Sequence, residues 1–124
     1  MKIILPIYYL QEFKTKKPKN WLVGLNNYRN WHYILSNKIK AHYHQLIKDQ
    51  VKDTKFDKIK PYYKIYIKSK RIDPHNVKSI IEKFALDGLV ECGAIKDDGI
   101  DYVVGCLGSE YFVDADNPRV EIFI

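Results

Sequence analysis

The stretch "YYKIYIKSKRIDPHNVKSIIEKFALDGLVECG", residues 62–93, hands a strand to a helix across a short polar link. Its first part alternates strictly. Tyr63, Ile65 and Ile67 share one side, and Lys64, Tyr66 and Lys68 share the other. Period two marks a strand with one face on a core and a basic, aromatic face turned outward, where it could contact phosphates and bases or simply be solvated. From Pro74 the period changes, and Val77, Ile80, Ile81, Phe84 and Leu89 recur at helical spacing. Asp73 suits the N-cap, Pro74 the first helical position and Gly93 the stop. A strand followed at once by an amphipathic helix buries both apolar faces when the helix lies back on the sheet, so the fold class is α/β.

The flanking segments extend this unit. Ile3 to Leu10 reads as a strand, and Pro6 within it predicts an edge position or an early break. Residues 14–20, "KTKKPKN", are a basic loop. Asn30 to Lys52 reads as a long helix capped by Asn30, with Trp31, Ile34, Leu35, Ile39, Tyr43, Leu46 and Ile47 on one face. His42 and His44 lie two apart on this helix, about 200° around it, so they do not share an ion. After residues 95–99, "IKDDG", a turn, Ile100 to Leu107 reads as a strand. Residues 114–118 form a turn, and "RVEIFI" is the last strand. The predicted order is β-α-β-α-β-β: one domain over residues 1–124, a mixed sheet with two helices packed on it.

Charge divides the chain. Residues 1–71 carry 17 Lys+Arg and 4 Asp+Glu, a net of +13, whereas residues 72–124 carry 4 and 11, a net of −7. A basic half points to a polyanion, most simply nucleic acid, or to a lysine-rich solubilising surface. Candidate phosphate contacts are Lys14, Lys16, Lys17, Lys19, Arg29, Lys68, Lys70 and Arg71. The acidic half must either pair with the basic half or hold cations near the nucleic acid. No apolar run approaches the roughly 20 residues that span a bilayer. The opening "MKIILPIYYL" lacks a small-residue cleavage site and reads as a strand. Cys92 and Cys106 have no metal-type spacing and read as free thiols of a reducing cytoplasm.

On residue chemistry alone, Asp73 is a helix cap and Asp97-Asp98-Gly99 a turn. A wider pattern contains them. Lys83 to Asp98 reads K-F-A-L-D-G-L-V-E-C-G-A-I-K-D-D. This resembles the K-x-x-x-D-x-L-x-x-x-G-x-x-x-D-D motif of the RusA family of Holliday-junction resolvases, common in phages and prophages. In that family D-x-D-N opens the same helix, where this chain has "DPHN", Asp73 to Asn76. "GLNNYRNWHY", residues 24–33, resembles more weakly the Asn/Tyr/Arg-rich segment that enters the family's first helix.

The resemblance implies a homodimeric, RusA-like α/β nuclease that cuts four-way DNA junctions with Mg²⁺ in the host cytoplasm. Its catalytic residues carry over to Asp73, His75 in place of the second aspartate, Lys83 and Asp98, and Asp97 joins Asp73, His75 and Asp98 as a candidate metal ligand. The residue types suit that chemistry. Mg²⁺ prefers carboxylate oxygens, a bound metal ionises an attacking water, and a nearby lysine offsets charge on the phosphate. Two departures matter. His75 lowers the negative charge of the site and shifts preference toward Mn²⁺; His75 is also a candidate general base. Lys83 lies ten residues after Asp73, about one helical turn beyond the family's lysine, so Lys78 is the competing assignment. The alternative is a junction-binding homologue whose catalysis is weakened or lost through His75.

An 18-residue helix is about 27 Å long, so Asp73 and Asp98 are expected far apart within one subunit. They meet only if the turn folds back along the helix, or across a dimer interface.

Overall fold

Pro6 ends the first strand. In the computed structural model, which describes residues 1–124, β1 runs Lys2–Pro6 and a separate β2 runs Tyr8–Gln11. β2 pairs antiparallel with β3, Lys19–Leu22, as a small hairpin apart from the main sheet. Then follow α1 (Leu25–Asn30), α2 (Tyr33–Val51), β4 (Tyr62–Ile67), α3 (Pro74–Glu91), β5 (Gly108–Val113) and β6 (Arg119–Phe123). The main sheet has the order β1-β6-β4-β5. β4 and β5 are parallel, and the other two pairings are antiparallel. The sheet is therefore mixed, and its strands with α2 and α3 keep the order β-α-β-α-β-β. The hairpin and α1 are inserted between β1 and α2.

One face of the sheet is covered by helix. Ile3, Leu5, Tyr63, Ile65, Ile67, Val120 and Ile122 are buried against Ile39, Tyr43, Ile47 and Val51 of α2 and Val77, Ile80, Ile81, Phe84 and Leu89 of α3. The buried Tyr43 hydroxyl donates to the Pro6 carbonyl, and burial pushes its pKa up. Gly88 lets α3 approach α2 closely, since a Cβ there would lie 3.1 Å from Ile47 Cγ1.

Three expectations change. The long helix begins at Tyr33 with His32 as its N-cap, and Asn30 instead ends α1. Trp31 between them is extended (φ −69°, ψ 136°) and buried, with its ring edge-on to Trp21 and Tyr28. Those tertiary contacts break what periodicity joins, and Ile34 is left exposed. The strand expected over Ile100 to Leu107 does not form. Val103 makes a single bridge to Ile59, and the strand starts only at Gly108, whose φ of +135° favours glycine. The outer face of β4 is not basic either. Lys64 stands in register between Glu110 and Glu121, and Tyr62 bonds the Glu110 carboxylate.

Arg119 fastens the last turn. It donates to Asp114 (3.0 Å), Glu121 (2.8 Å) and the Asn117 carbonyl (2.9 Å), with its guanidinium 3.8 Å above the Tyr66 ring. The Arg119 hydrogen bond holds the Asp114 carboxyl below the usual range. A depressed carboxyl contributes stability above its unfolded pKa of about 3.9 and loses it as pH falls through the folded value. Arg119→Met is therefore expected to raise the pH midpoint of acid unfolding, followed by circular dichroism. An unchanged midpoint would show that the pair adds nothing to the fold.

Candidate nucleic-acid interface and acidic site

The α3 N-terminus is built by the cap and the strand before it. β4 ends at Ile67, the link carries Lys68, Lys70 and Arg71 exposed, and Asp73 caps α3 by accepting the His75 amide at 2.9 Å. Opposite lies the entry to α1. Leu22, Gly24, Leu25, Asn26 and Asn27 line one wall of a shallow cleft of about 320 Å³, and Arg71, Ile72, Asp73 and Asn76 line the other. Gly24 lies against the Asn76 backbone, with its Cβ position 3.9 Å from the Asn76 carbonyl. The Asn27 side chain donates to the Leu22 carbonyl and fixes this wall. The cleft thus offers one carboxylate, a guanidinium and three side-chain amides, a set suited to a phosphate-sugar backbone rather than to an apolar ligand.

The other acidic residues lie elsewhere. Ala94 and Ile95 turn back to bond the Leu89 carbonyl, Phe56 donates to Ala94, and Tyr102 and Val104 bond Ile59. All of this is at the end where α3 finishes and β4 begins. Asp97 and Asp98 are exposed there. Asp73 stands at the opposite end of a helix about 27 Å long. The turn does not fold back along α3, and no group of three or more His, Cys, Asp or Glu side chains lies close enough to hold a metal ion. One protomer therefore does not assemble the Asp73, His75, Asp97 and Asp98 set.

The remaining site candidates divide as follows. His75 is exposed, and its Nδ1 lies 3.1 Å from the Tyr111 hydroxyl of β5, so Nε2 is its open nitrogen. Lys78 is half-buried over the Tyr63 ring (4.9 Å) and pairs with Glu82 at 3.5 Å. Lys83 is exposed without an ion pair, about 15 Å along the axis from Asp73. Of the two lysines, Lys83 is the free charge. His42 and His44 go separate ways, His42 beside Tyr9 and His44 paired with Glu91.

The basic candidates form two groups. Lys14, Lys16 and Lys17 are exposed in the β2–β3 connection, and Lys19, expected in the basic loop, is exposed as the first residue of β3, with Lys16 over Phe13 and Lys19 over Trp21. Arg29 is exposed on α1, and Lys68, Lys70 and Arg71 lead into the cleft. The two halves of the chain barely neutralise each other. Among Lys and Arg of the basic half, only Lys40 pairs with an acidic residue, Asp87, at 3.9 Å. Tyr111 had no sequence signal, because its place depends on which strand β5 joins. Asn26, Asn27 and Asn76 were visible only as members of the two resembling segments.

No protein-family model and no curated protein matches the chain. No helix is long and apolar enough to cross a membrane.

Proposed function

We propose that the protein binds four-way DNA junctions and cuts them by metal-dependent phosphodiester hydrolysis, as a homodimer of RusA type acting in the cytoplasm of a phage or prophage host. One observation carries this reading. Two of the three segments that resemble the family, residues 24–33 and 73–76, are separate in sequence, yet residues 24–27 of the one and Asp73 and Asn76 of the other line opposite walls of one cleft. Unpaired basic groups support it, because the hairpin tip and the β4–α3 link keep their charge for a polyanion. A cation of the Mg²⁺ or Mn²⁺ type, held by the aspartates, would supply an ionised water and neutralise the leaving oxygen. The chain's own groups do the rest. Lysines and Arg71 seat the backbone and the cleft amides orient it, whereas Lys83, about 15 Å along α3 from Asp73, lies outside the cleft.

A second reading has its own support. His75 replaces a carboxylate and commits Nδ1 to Tyr111, which suits a junction binder with weakened cleavage.

Both readings require steeply salt-dependent junction binding, with linear duplex bound more weakly. Replacing Lys14, Lys16, Lys17 and Lys19 together by Ala is expected to flatten the log K against log[salt] slope by about 3–4 units. Fluorescence anisotropy on junction and duplex checks this. Equal affinity for both DNAs across the salt series would remove the junction from either reading.

A further inference from the structure

The side of α3 that faces β5 carries groups the cleft does not use. His75 and Lys78 lie one turn apart there and line no part of the cleft, whereas Asp73 and Asn76 do. On the sheet, Ser109 stands in register with Tyr63 and Tyr111 with Ile65, so both share the helix-covered face with those buried residues. Lys78 is already engaged, over the Tyr63 ring at 4.9 Å and paired with Glu82. His75 is held from one side only. Its ring stands edge-on to Tyr111, with centroids 5.1 Å apart, and its Nδ1 meets the Tyr111 hydroxyl at 3.1 Å.

The order of the hydrogen bonds decides what the other nitrogen can do. Ser109 Oγ donates to the Tyr111 oxygen at 3.4 Å, which leaves the Tyr111 proton for His75. That order suits the groups, because a phenol donates well and accepts poorly, and an imidazole nitrogen accepts well. With Nδ1 accepting, the neutral ring carries its proton on Nε2. Nε2 then has no lone pair for a cation and offers an N–H instead. The link just before it carries Lys68, Lys70 and Arg71, all exposed, so the oxygen that reaches this N–H belongs to an anion. We propose that His75 is a phosphate-binding residue whose Nε2–H donates to a non-bridging oxygen of the DNA backbone, and that Tyr111, backed by Ser109, is the positioning residue that sets its tautomer and aim. The cation is then left to the aspartates alone. The phosphate contact rests on the junction-nuclease reading, but the tautomer does not.

A phosphate contact acts without metal, so junction binding by the full chain in EDTA separates this role from metal ligation. There His75→Ala is expected to weaken binding about tenfold, the low end for a hydrogen bond to a charged group. The slope of log K against log[salt] is expected to stay unchanged, because no cationic side chain is lost. Tyr111→Phe is expected to weaken binding about threefold, and the double variant to bind no worse than His75→Ala, because Tyr111 acts through His75. Parent-like binding by His75→Ala overturns the phosphate contact, and additive losses in the double variant overturn the positioning role. Mn²⁺ titrated into the free chain is expected to give the same curve for the parent and His75→Ala. A weaker curve for the variant makes His75 a metal ligand and overturns the proposal. Nitrogen NMR of the parent at about pH 8, where an ordinary imidazole is neutral, needs no variant to fold. The Nε2–H tautomer is expected for His75, and the Nδ1–H tautomer overturns the assigned order. A parent that binds no junction in EDTA counts against the junction reading and removes the phosphate contact with it, whereas the tautomer alone judges the part played by Tyr111.

Discussion

Asp98→Asn is expected to abolish junction cleavage while preserving junction binding or tightening it. Residue 98 is exposed in the turn after α3, and its side chain makes no hydrogen bond or ion pair within the fold. The substitution keeps size and shape, so the turn is expected to stand. It removes the anionic oxygen that the resemblance assigns to the metal. Losing about 3 kcal/mol of transition-state stabilisation corresponds to about 10²-fold in rate, and a lost ligand is expected to cost at least that. Binding moves the other way, because a negative charge near phosphate is gone. His75→Asp is the converse change and is expected to raise activity with Mg²⁺ relative to Mn²⁺. Single-turnover cleavage and anisotropy on the same junction separate the two effects. Parent-like cleavage by Asp98→Asn would remove Asp98 from the site.

Phe84→Ala is expected to cost about 3–5 kcal/mol of stability, a large share of the roughly 5–15 kcal/mol that holds a domain together. Phe84 is 1% exposed and stands between two rings, with Tyr28 of α1 at 6.0 Å and Tyr43 of α2 at 5.4 Å. Truncation leaves a cavity where three helices meet. The effect also reaches the cleft. Tyr28 is the ring that ties α1 to α3 through Phe84, and α1 carries Asn26 and Asn27 of the cleft wall. Urea unfolding is expected to show a lower midpoint, and junction affinity is expected to fall even where the variant remains folded. A midpoint within about 0.5 kcal/mol of the parent would contradict the packing described.

The β4–α3 unit was legible because its signals are local. Alternation sets β4, and Asp73, Pro74 and the apolar stripe set α3. The break after Pro6 was legible for the same reason, since a missing amide is a property of one residue. The start of α2 was not. Helical spacing runs on through Trp31, and only its burial beside Trp21 and Tyr28 opens the chain there. β5 was misplaced because Val103 and Val104 have strand-forming side chains, whereas pairing with β4 is settled by a glycine-led segment further on. The site followed the same rule. Helix length already separated Asp73 from Asp98, but the approach of residues 24–27 to Asp73 and of Tyr111 to His75 depends on long-range packing.

The most direct test is a cleavage assay on a synthetic four-way junction with end-labelled strands, run with Mg²⁺ and with Mn²⁺. A resolvase with two acidic sites is expected to introduce paired, symmetric nicks in opposing strands with at least one of the two metals, to spare linear duplex, and to lose cutting with Asp98→Asn. Intact strands with both metals, under conditions where the junction is fully bound, would contradict nuclease function.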